Sequence, residues 1–334
     1  MGAFVVGKRK LHMAGLLVGA LMAGTLPWSQ PSRAQEPYPT RTVKLILPSP
    51  PGSTTDTLAR IVAEQLKAKW AAAVVVENIS GGAMNIAARQ VARAEPDGYT
   101  LLIAPPSPLS YNHLLFRDLG YDPAKFVPIT MLAKIANVLV VRRDLPVATL
   151  KELIDYGHAN PGKLTYASAG AGSTAHLSAA QLEVRGGIKM VHVPYRGAQP
   201  AMTDVVGGHV DMYFDTLATS VPLYLDKQVR LLGIADLARA AVIPDVPTFS
   251  EAGLAGFKSI TWFGMVAPPA TPTALAEKIN RDTVEILRSK EVAGQLRRIS
   301  LDIGATSPAD TTKFFTEEAA LWRQVIKEAG IEPQ

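Results

Sequence analysis

The sequence contains no cysteine among its 334 residues. This absence excludes a disulfide framework, a thiolate zinc site, iron–sulfur ligation and a cysteine nucleophile. Aromatic residues make up only 7% of the chain and charged residues 19%, but 48% is hydrophobic, which excludes a mostly disordered protein. Chains longer than about 250–300 residues usually divide into two domains, so we expect two lobes.

Catalytic motifs are also scarce. Neither the HExxH pattern of metalloproteases nor the G-x-S-x-G turn of serine hydrolases occurs. A triad of Ser173, His176 and Asp215 could form in space, so an exported hydrolase is one alternative. Because Ser173 and His176 lie three residues apart at one predicted helix start, we interpret the histidine as orienting a loop or a ligand oxygen. We expect no enzymatic activity and no metal.

The first 34 residues have the three parts of a secretory signal peptide. A basic start ends at Lys10, an apolar stretch covers 11–26, and small residues at Ser32 and Ala34 predict cleavage after Ala34. The alternative is an uncleaved anchor, but the apolar stretch is shorter than the roughly 20 residues that a spanning helix needs. We therefore predict an exported protein, with a bacterial periplasm as its compartment.

The positive charge does not indicate a nucleic-acid partner. The net charge of the chain is +5, but four of the basic residues lie in the leader, which contains no acidic residue. The rest of the chain has 30 basic and 29 acidic residues, a net charge of +1. We expect no nucleic-acid binding.

Short β-branched runs alternate with helical patterns from residue 43 onward, which is typical of parallel, covered α/β sheets. The alternation breaks at 127–142, which is predicted as two strands or one long bent crossing, and a second long crossing is predicted at 258–267. We predict a two-lobed α/β fold with mainly parallel sheets, in which the chain crosses between the lobes twice. Lobe 1 comprises 37–133 plus 265–334, and lobe 2 comprises 134–264. The loops after the strands then face a cleft at the hinge.

Three strand-to-helix turns are candidates for anion binding at this cleft. In the turn at 48–56, Gly52 permits a close turn, and Ser53, Thr54 and Thr55 place hydroxyl groups beside helix N-terminal N–H groups. The turn at 78–85 has two glycines before a helix that begins near Asn85. The alternative for each turn is ordinary helix capping by serine or threonine.

The third turn, at 167–177, has a loose G-x-G-x-x-A pattern that suggests a dinucleotide site. The strand that follows lacks the acidic residue that would hold a ribose, so we expect no cofactor. An anion site formed by Ser168, Ser173, Thr174 and nearby N–H groups explains the pattern more simply. Asp215 ends a predicted strand on the same side and could accept a hydrogen bond from a ligand or a bridging water.

Several of these segments, taken in order, resemble the substrate-binding proteins of tripartite tricarboxylate transporters, the Bug family of periplasmic solute receptors. The resemblance runs from about Tyr38 to the C-terminus. It rests on PSPPGSTTD, PDGYTLL, YDPAKFVPIT, GAGSTAHL, VPYRGAQPAMTDVVGGHVDMYFD and IPDVPTFSEAGL. It implies a two-lobed Venus-flytrap receptor for a small carboxylate, which would pass its ligand to the membrane subunits of such a transporter. The family's ligand is often a di- or tricarboxylate.

The resemblance also implies which residues hold the ligand. It assigns the proximal carboxylate to Ser53, Thr54, Thr55 and Asp56 in one lobe and to Ser173, Thr174 and His176 in the other, with Asp215 as the strand-end acid. With the turn residues above, the predicted ligand-binding set is Ser49, Gly52, Ser53, Thr54, Thr55, Asp56, Asn85, Ser107, Ser168, Gly172, Ser173, Thr174, His176 and Asp215. We expect a monomer. A sensory receptor with a signalling partner is the second alternative.

This sequence departs from the family pattern at two places. Ser53 stands where the family commonly has a second glycine, and Ala83 and Met84 stand where a G-G-N-I-G run is usual. Both differences concern the shape of the distal part of the pocket.

Overall fold

A computed structural model describes residues 38–333, so the predicted signal peptide lies outside the described residues. The strands are β1 (Val43–Leu47), β2 (Val74–Asn78), β3 (Thr100–Ala104), β4 (Val127–Arg142), β5 (Leu164–Ser168), β6 (Met190–Pro194), β7 (Met212–Thr216), β8 (Val229–Ile234), β9 (Ile260–Ala267) and β10 (Asp302–Ile303). The helices are α1 (Thr54–Trp70), α2 (Asn85–Ala92), α3 (Leu150–Ala159), α4 (Thr174–Gly186), α5 (Ala198–Val206), α6 (Leu217–Leu225), α7 (Thr273–Leu287), α8 (Lys290–Arg298) and α9 (Pro308–Glu328).

Strand β4 belongs to two sheets, and each sheet is the centre of one lobe. The first lobe has the strand order β2-β1-β3-β9-β4-β10, and the second has β6-β5-β7-β4-β8. β1 pairs in parallel with β2 and β3, and β5 pairs in parallel with β6 and β7. The antiparallel pairs all involve β4 or β9. This is the predicted two-lobed α/β arrangement.

The first crossing is one strand rather than two. β4 pairs with β9 as far as Ala136 and with β7 from Asn137, so the chain passes between the sheets at this point. Register shifts near Pro128 and Met131 bend the strand, which explains why its sequence pattern resembles two shorter strands.

Buried side-chain hydrogen bonds join the two crossings. The Asn137 side-chain amide donates to Ser259 Oγ at 2.9 Å and accepts from Thr261 Oγ1 at 2.9 Å. Ser259 Oγ also lies 2.5 Å from Ser178 Oγ on α4. Trp262 on β9 is fully buried, and its indole N–H donates to Glu318 on α9. The hinge is therefore tied to helices of both lobes.

Side-chain caps determine where several helices begin. Ser53, Thr149, Ser173, Ser289 and Ser307 each precede a helix and accept a hydrogen bond from the backbone N–H three residues later. Such a cap stabilises a helix by about 1 kcal/mol. Within residues 38–333, no helix is both long and apolar enough to cross a membrane.

Candidate ligand-binding cleft

The predicted ligand-binding residues lie at the carboxyl ends of parallel strands or in the turns and helix starts that follow them. One group follows β1, β2 and β3 in the first lobe, and the other follows β5 and β7 in the second lobe. Because the strands within each group are parallel, each group lies along a single edge of its sheet. Ligands of open α/β sheets bind at this edge.

The turn after β1 is built around a backbone conformation that favours glycine. Gly52 has a φ of +79°, and its N–H donates to Asp56 Oδ2 at 2.9 Å. Ser53 caps α1 by accepting from the Asp56 N–H at 3.2 Å. The buried hydroxyl groups of Ser49 and Thr55 lie 3.4 Å apart beside this cap. The turn thus places two hydroxyl groups at the partly positive end of a helix.

Asp56 organises the turn through its carboxylate. The Arg60 guanidinium donates to both of its oxygens at 2.9 and 3.0 Å, and the Asn78 amide donates to Oδ1 at 3.0 Å. Burial acts to raise the pKa of Asp56, but these bonds and the Gly52 N–H hold it below its usual value. The role of Asn78 in this turn was not predicted from the sequence. Its position at the carboxyl end of β2 could have indicated that it lies at the same sheet edge as the turn.

The turn before α4 has a matching construction. Ser173 caps the helix by accepting from the His176 N–H at 3.3 Å. The Gly172 N–H donates to His176 Nδ1 at 3.1 Å, so this ring nitrogen carries no proton. His176 therefore holds the loop through its Nδ1.

Beneath this turn, His176, His192 and Tyr166 form a stack of nearly parallel rings. The ring centroids of the two histidines are 4.2 Å apart, and those of His192 and Tyr166 are 4.9 Å apart. His192 Nε2 lies 2.7 Å from the buried Ser168 Oγ, which also accepts from the Gly170 N–H. Burial and the neighbouring His192 lower the pKa of His176 to about 4, so the ring is neutral at pH 7. Ser168 thus supports the turn from below.

Asp215 ends β7 in a buried position. Its Oδ2 accepts hydrogen bonds from the hydroxyl groups of Thr219 and Ser220 on α6, the latter at 2.9 Å. Burial raises the pKa of Asp215, although these hydroxyl groups partly offset the effect. The sequence did not predict α6, because Pro222 interrupts its helical pattern.

The segment after β3 contains the predicted Ser107 and two residues that were not predicted, Tyr111 and Asn112. The Ser107 hydroxyl lies 3.2 Å from the hydroxyl of the fully buried Tyr111. The Asn112 amide donates to Asn85 Oδ1 at 2.6 Å and to Ala83 O at 3.0 Å. Asn112 therefore ties this segment to the start of α2. The irregular helical turns here, Ser107–Tyr111 and Asn112–Leu114, have no clear sequence periodicity.

Two contacts bring the edges of the two lobes together. The Tyr111 hydroxyl lies 3.3 Å from Thr174 Oγ1, at the first residue of α4. Gly172 packs so closely on the first lobe that a Cβ atom there would lie 2.7 Å from Leu115 Cδ1. An apolar cluster continues this interface, and it consists of Tyr111, Leu115, Leu177, Trp322, Val325 and Ile326.

The donors in these turns are hydroxyl and N–H groups, and the residues that the structure describes contain no cluster of three metal-ligating side chains. The turns before α1 and α4 both combine a glycine, a serine cap and a helix N terminus. Such turns bind anions through their donors and the helix dipole. The two-lobed α/β fold, in which β4 and the segment that leads into β9 cross between the two sheets, is that of periplasmic solute-binding proteins.

Comparison with known proteins identifies the family within this class. The family model described as "Tripartite tricarboxylate transporter family receptor" matches residues 58–331, and the chain belongs to this family. This is a family of solute receptors rather than enzymes, which agrees with the sequence-based expectation.

Three relatives illustrate the similarity. The chain is 32% identical to Protein BugT of Bordetella pertussis, over 88% of this chain and 90% of BugT. It is 36% identical to R. palustris Rpa4515, solved with adipate, with a TM-score of 0.83 over 89% of this chain and 100% of that one. It is 31% identical to MatC from Rhodopseudomonas palustris, which was solved with bound malate. The TM-score is 0.80, and the match covers 86% of this chain and 100% of MatC.

Proposed function

We propose that this protein is a periplasmic receptor that binds a small carboxylate in the interlobe cleft and delivers it to the membrane subunits of a tripartite tricarboxylate-type transporter. The observation that carries the proposal is the pair of serine-capped helix N termini, one in each lobe. The second of them contacts the first lobe through Thr174 and Tyr111. The signal peptide, with cleavage after Ala34, and the monomeric state belong to the same proposal.

The chemistry of the two turns favours a carboxylate. Ser49, Thr55, Ser173 and Thr174 can each donate a hydroxyl proton, and helix N termini stabilise negative charge. The nearest cation in the first turn, Arg60, is already paired with Asp56 at 2.9 Å. The ligand would thus be held by neutral donors whose hydrogen bonds to a charged oxygen are stronger than neutral ones. We assign Asp56 and His176 a positioning role behind these donors.

The bound relatives support a dicarboxylate of short to medium length. Rpa4515 was solved with adipate and MatC with malate, and both molecules are dicarboxylates. Asn85, Ser107 and Asp215 would then lie toward the distal part of the ligand. The departures at Ala83 and Met84 adjoin Asn85, and both residues have a left-handed backbone. We propose that they change the shape of the distal part of the pocket.

Binding would be coupled to closure of the two lobes. We propose that lobe 1 comprises 37–133 plus 265–334 and lobe 2 comprises 134–264, with β4 and the segment before β9 as the hinge. A ligand that contacts both lobes favours the closed state by its difference in affinity for the two states. Closure removes water from the carboxylate and strengthens each hydrogen bond to it. The closed form would be the form that the membrane subunits bind.

Calorimetric titration with adipate and malate tests the proposal. The double variant Thr55→Ala, Ser173→Ala removes one donor from each lobe, and we expect at least a tenfold loss of affinity, because each hydrogen bond to a charged group contributes about 1.5–3 kcal/mol. Ser173→Ala also removes a helix cap. The control Ser289→Ala removes the matching cap of α8, which accepts from the Val292 N–H at 3.2 Å. Unchanged affinity in the double variant would contradict the proposal.

A further inference from the structure

Asn85, the first residue of α2, is a buried side chain with an accessible hydrogen-bond donor. It is 2% exposed, and its Oδ1 accepts from Asn112 Nδ2 at 2.6 Å and lies 3.0 Å from the Tyr121 hydroxyl. Within residues 38–333 its Nδ2 forms no hydrogen bond, and this atom is not one of the fully enclosed unpaired atoms there. A ligand can therefore reach the amide nitrogen of Asn85, although the rest of the side chain is buried.

The orientation of this amide is fixed by a chain of hydrogen bonds that starts at a backbone carbonyl. Ala83 O can only accept, so the Asn112 side chain presents its Nδ2 to it, at 3.0 Å. The same Nδ2 bonds Asn85, which must therefore present its Oδ1. Burial raises the pKa of Tyr121, so its hydroxyl keeps its proton and shares it between Asn85 Oδ1 and Pro108 O. Exchanging the oxygen and nitrogen of either amide would bring like groups together, so Asn85 presents Nδ2 on its open side.

Asn85 lies at the cleft edge of the first lobe. α2 begins after the loop at the carboxyl end of β2, and Asn112 follows β3. Asn112 also reaches the second lobe, because a Cβ atom at Gly172 would lie 3.6 Å from its Oδ1. Asn85 is thus separated from the turn before α4 by one side chain. This position fits a contact with the distal part of the ligand rather than with its proximal carboxylate.

The acidic residues of the predicted ligand-binding set are already bonded within the protein. Asp215 accepts hydrogen bonds from the hydroxyl groups of Thr219 and Ser220, and Asp56 is paired with Arg60. An ammonium group next to Asn85 would therefore meet an N–H donor and no unpaired carboxylate from this set. A donor that faces another donor in a buried site leaves both unpaired, which is unfavourable.

We propose that Asn85 selects the distal group of the ligand, with Asn112 as the residue that positions it. The Asn85 amide donates to a ligand oxygen, so the site takes a second carboxylate at the far end and rejects an ammonium group there. The inference rests on the proposed receptor function and adds the group that distinguishes the second end of the ligand.

Calorimetric titration with adipate and 6-aminohexanoate tests the proposal. Both compounds have six carbons and one carboxylate, and they differ in having a carboxylate or an ammonium group at the other end. We expect the wild type to bind adipate at least tenfold more tightly, because a hydrogen bond to a charged group is strong. Asn85→Leu has no donor and should weaken adipate binding at least tenfold while 6-aminohexanoate binding changes little. Asn85→Asp presents an acceptor and should reverse the preference.

Asn112→Leu tests the positioning role. It removes the donor that fixes Asn85, and the carbonyl of the exposed Ala83 can bond water instead. We expect the preference for adipate to fall at least threefold, because the Asn85 amide can then rotate, whereas a general loss of structure would weaken both ligands equally. The control Asn280→Leu removes another buried amide that donates to two backbone oxygens, at 2.8 Å each, and should keep the wild-type preference.

The outcomes separate this inference from the receptor function. If the wild type binds both compounds equally, or if the preference is unchanged in Asn85→Leu or Asn112→Leu, the inference is overturned and the carboxylate receptor stands. Binding of neither compound by the wild type would contradict the proposed function and the inference with it.

Discussion

The hydroxyl of Tyr111 in the first lobe lies 3.3 Å from Oγ1 of Thr174, the first residue of α4 in the second lobe. Tyr111 is fully buried, and its hydroxyl also lies 3.2 Å from Ser107 Oγ. Two residues of the predicted ligand-binding set, one from each lobe, are therefore joined through a tyrosine. The contact connects closure of the lobes to the helix N terminus that is proposed to hold the carboxylate.

Tyr111→Phe removes this hydrogen bond and keeps the ring that packs 5.7 Å from Trp322. We expect adipate to bind about 3–10-fold more weakly, because one neutral hydrogen bond contributes about 0.5–1.5 kcal/mol to the closed state. Calorimetry measures the change. The control Tyr195→Phe removes a hydroxyl that donates to Asp204 within the second lobe, and its affinity should stay at the wild-type value. Equal losses in both variants would show that the interlobe bond has no special role.

Gly172→Ala should oppose closure. Its φ of +76° disfavours other residues, and the new Cβ would lie 2.7 Å from Leu115 Cδ1. Gly162→Ala is a matched control, because Gly162 has a φ of +74° with nothing within 4 Å of the Cβ position. We expect Gly172→Ala, but not Gly162→Ala, to weaken adipate binding at least tenfold. Adding Leu115→Ala should restore part of the affinity, and the absence of any rescue would contradict a steric effect at this contact.

Asp56→Asn should disturb the turn before α1. It replaces a carboxylate that accepts from Gly52, Arg60 and Asn78 with an amide that cannot accept all of these bonds. We expect a loss of about 1–3 kcal/mol in the free energy of unfolding, measured by urea denaturation, together with weaker adipate binding. The control Asp310→Asn changes the residue at the same helix position of α9, where the carboxylate is exposed and bonds Ser307. An equal effect in the control would argue against the positioning role of Asp56.

The neutral histidine stack predicts a pH dependence of stability. The pKa of His176 is lowered to about 4 in the folded state and is near 6.5 when unfolded. The unfolded chain thus binds more protons between these pKa values, so the free energy of unfolding should fall as the pH drops from about 6.5 toward about 4, by about 1–3 kcal/mol. Urea denaturation at pH 7 and pH 4.5 measures the change. His176→Asn keeps an acceptor for Gly172 but cannot titrate, and an undiminished pH dependence in this variant would assign the effect to other groups.

The parts of the fold with strong local signals were predictable from the sequence. Ser53, Ser173 and Ser307 begin helices because their hydroxyl groups satisfy N–H groups that the helix itself cannot, and this chemistry is visible in a few residues. The parallel strands were predictable from their short β-branched runs. β4 was ambiguous, because the register shifts that bend it depend on its pairing with β9.

The contacts that join the lobes were not predictable. Tyr111 and Leu115 lie in or directly after irregular helical turns whose sequence has no helical or strand period, and their partners across the lobes, Thr174 and Gly172, are far away in the sequence. Local patterns contain no information about such pairs. The order of the strands was therefore enough to place the predicted turns at the same edge of each sheet. The residues that hold the edges of the two lobes together could be identified only from the tertiary structure.

The most direct test is a crystal structure of the protein with adipate. The account predicts closed lobes with one carboxylate group of the ligand between the 52–56 turn and the 170–174 turn, within hydrogen-bond distance of Thr55 or Ser53 on one side and Ser173 or Thr174 on the other. Ordered adipate that contacts only one of these turns, or that lies outside the cleft, would contradict it.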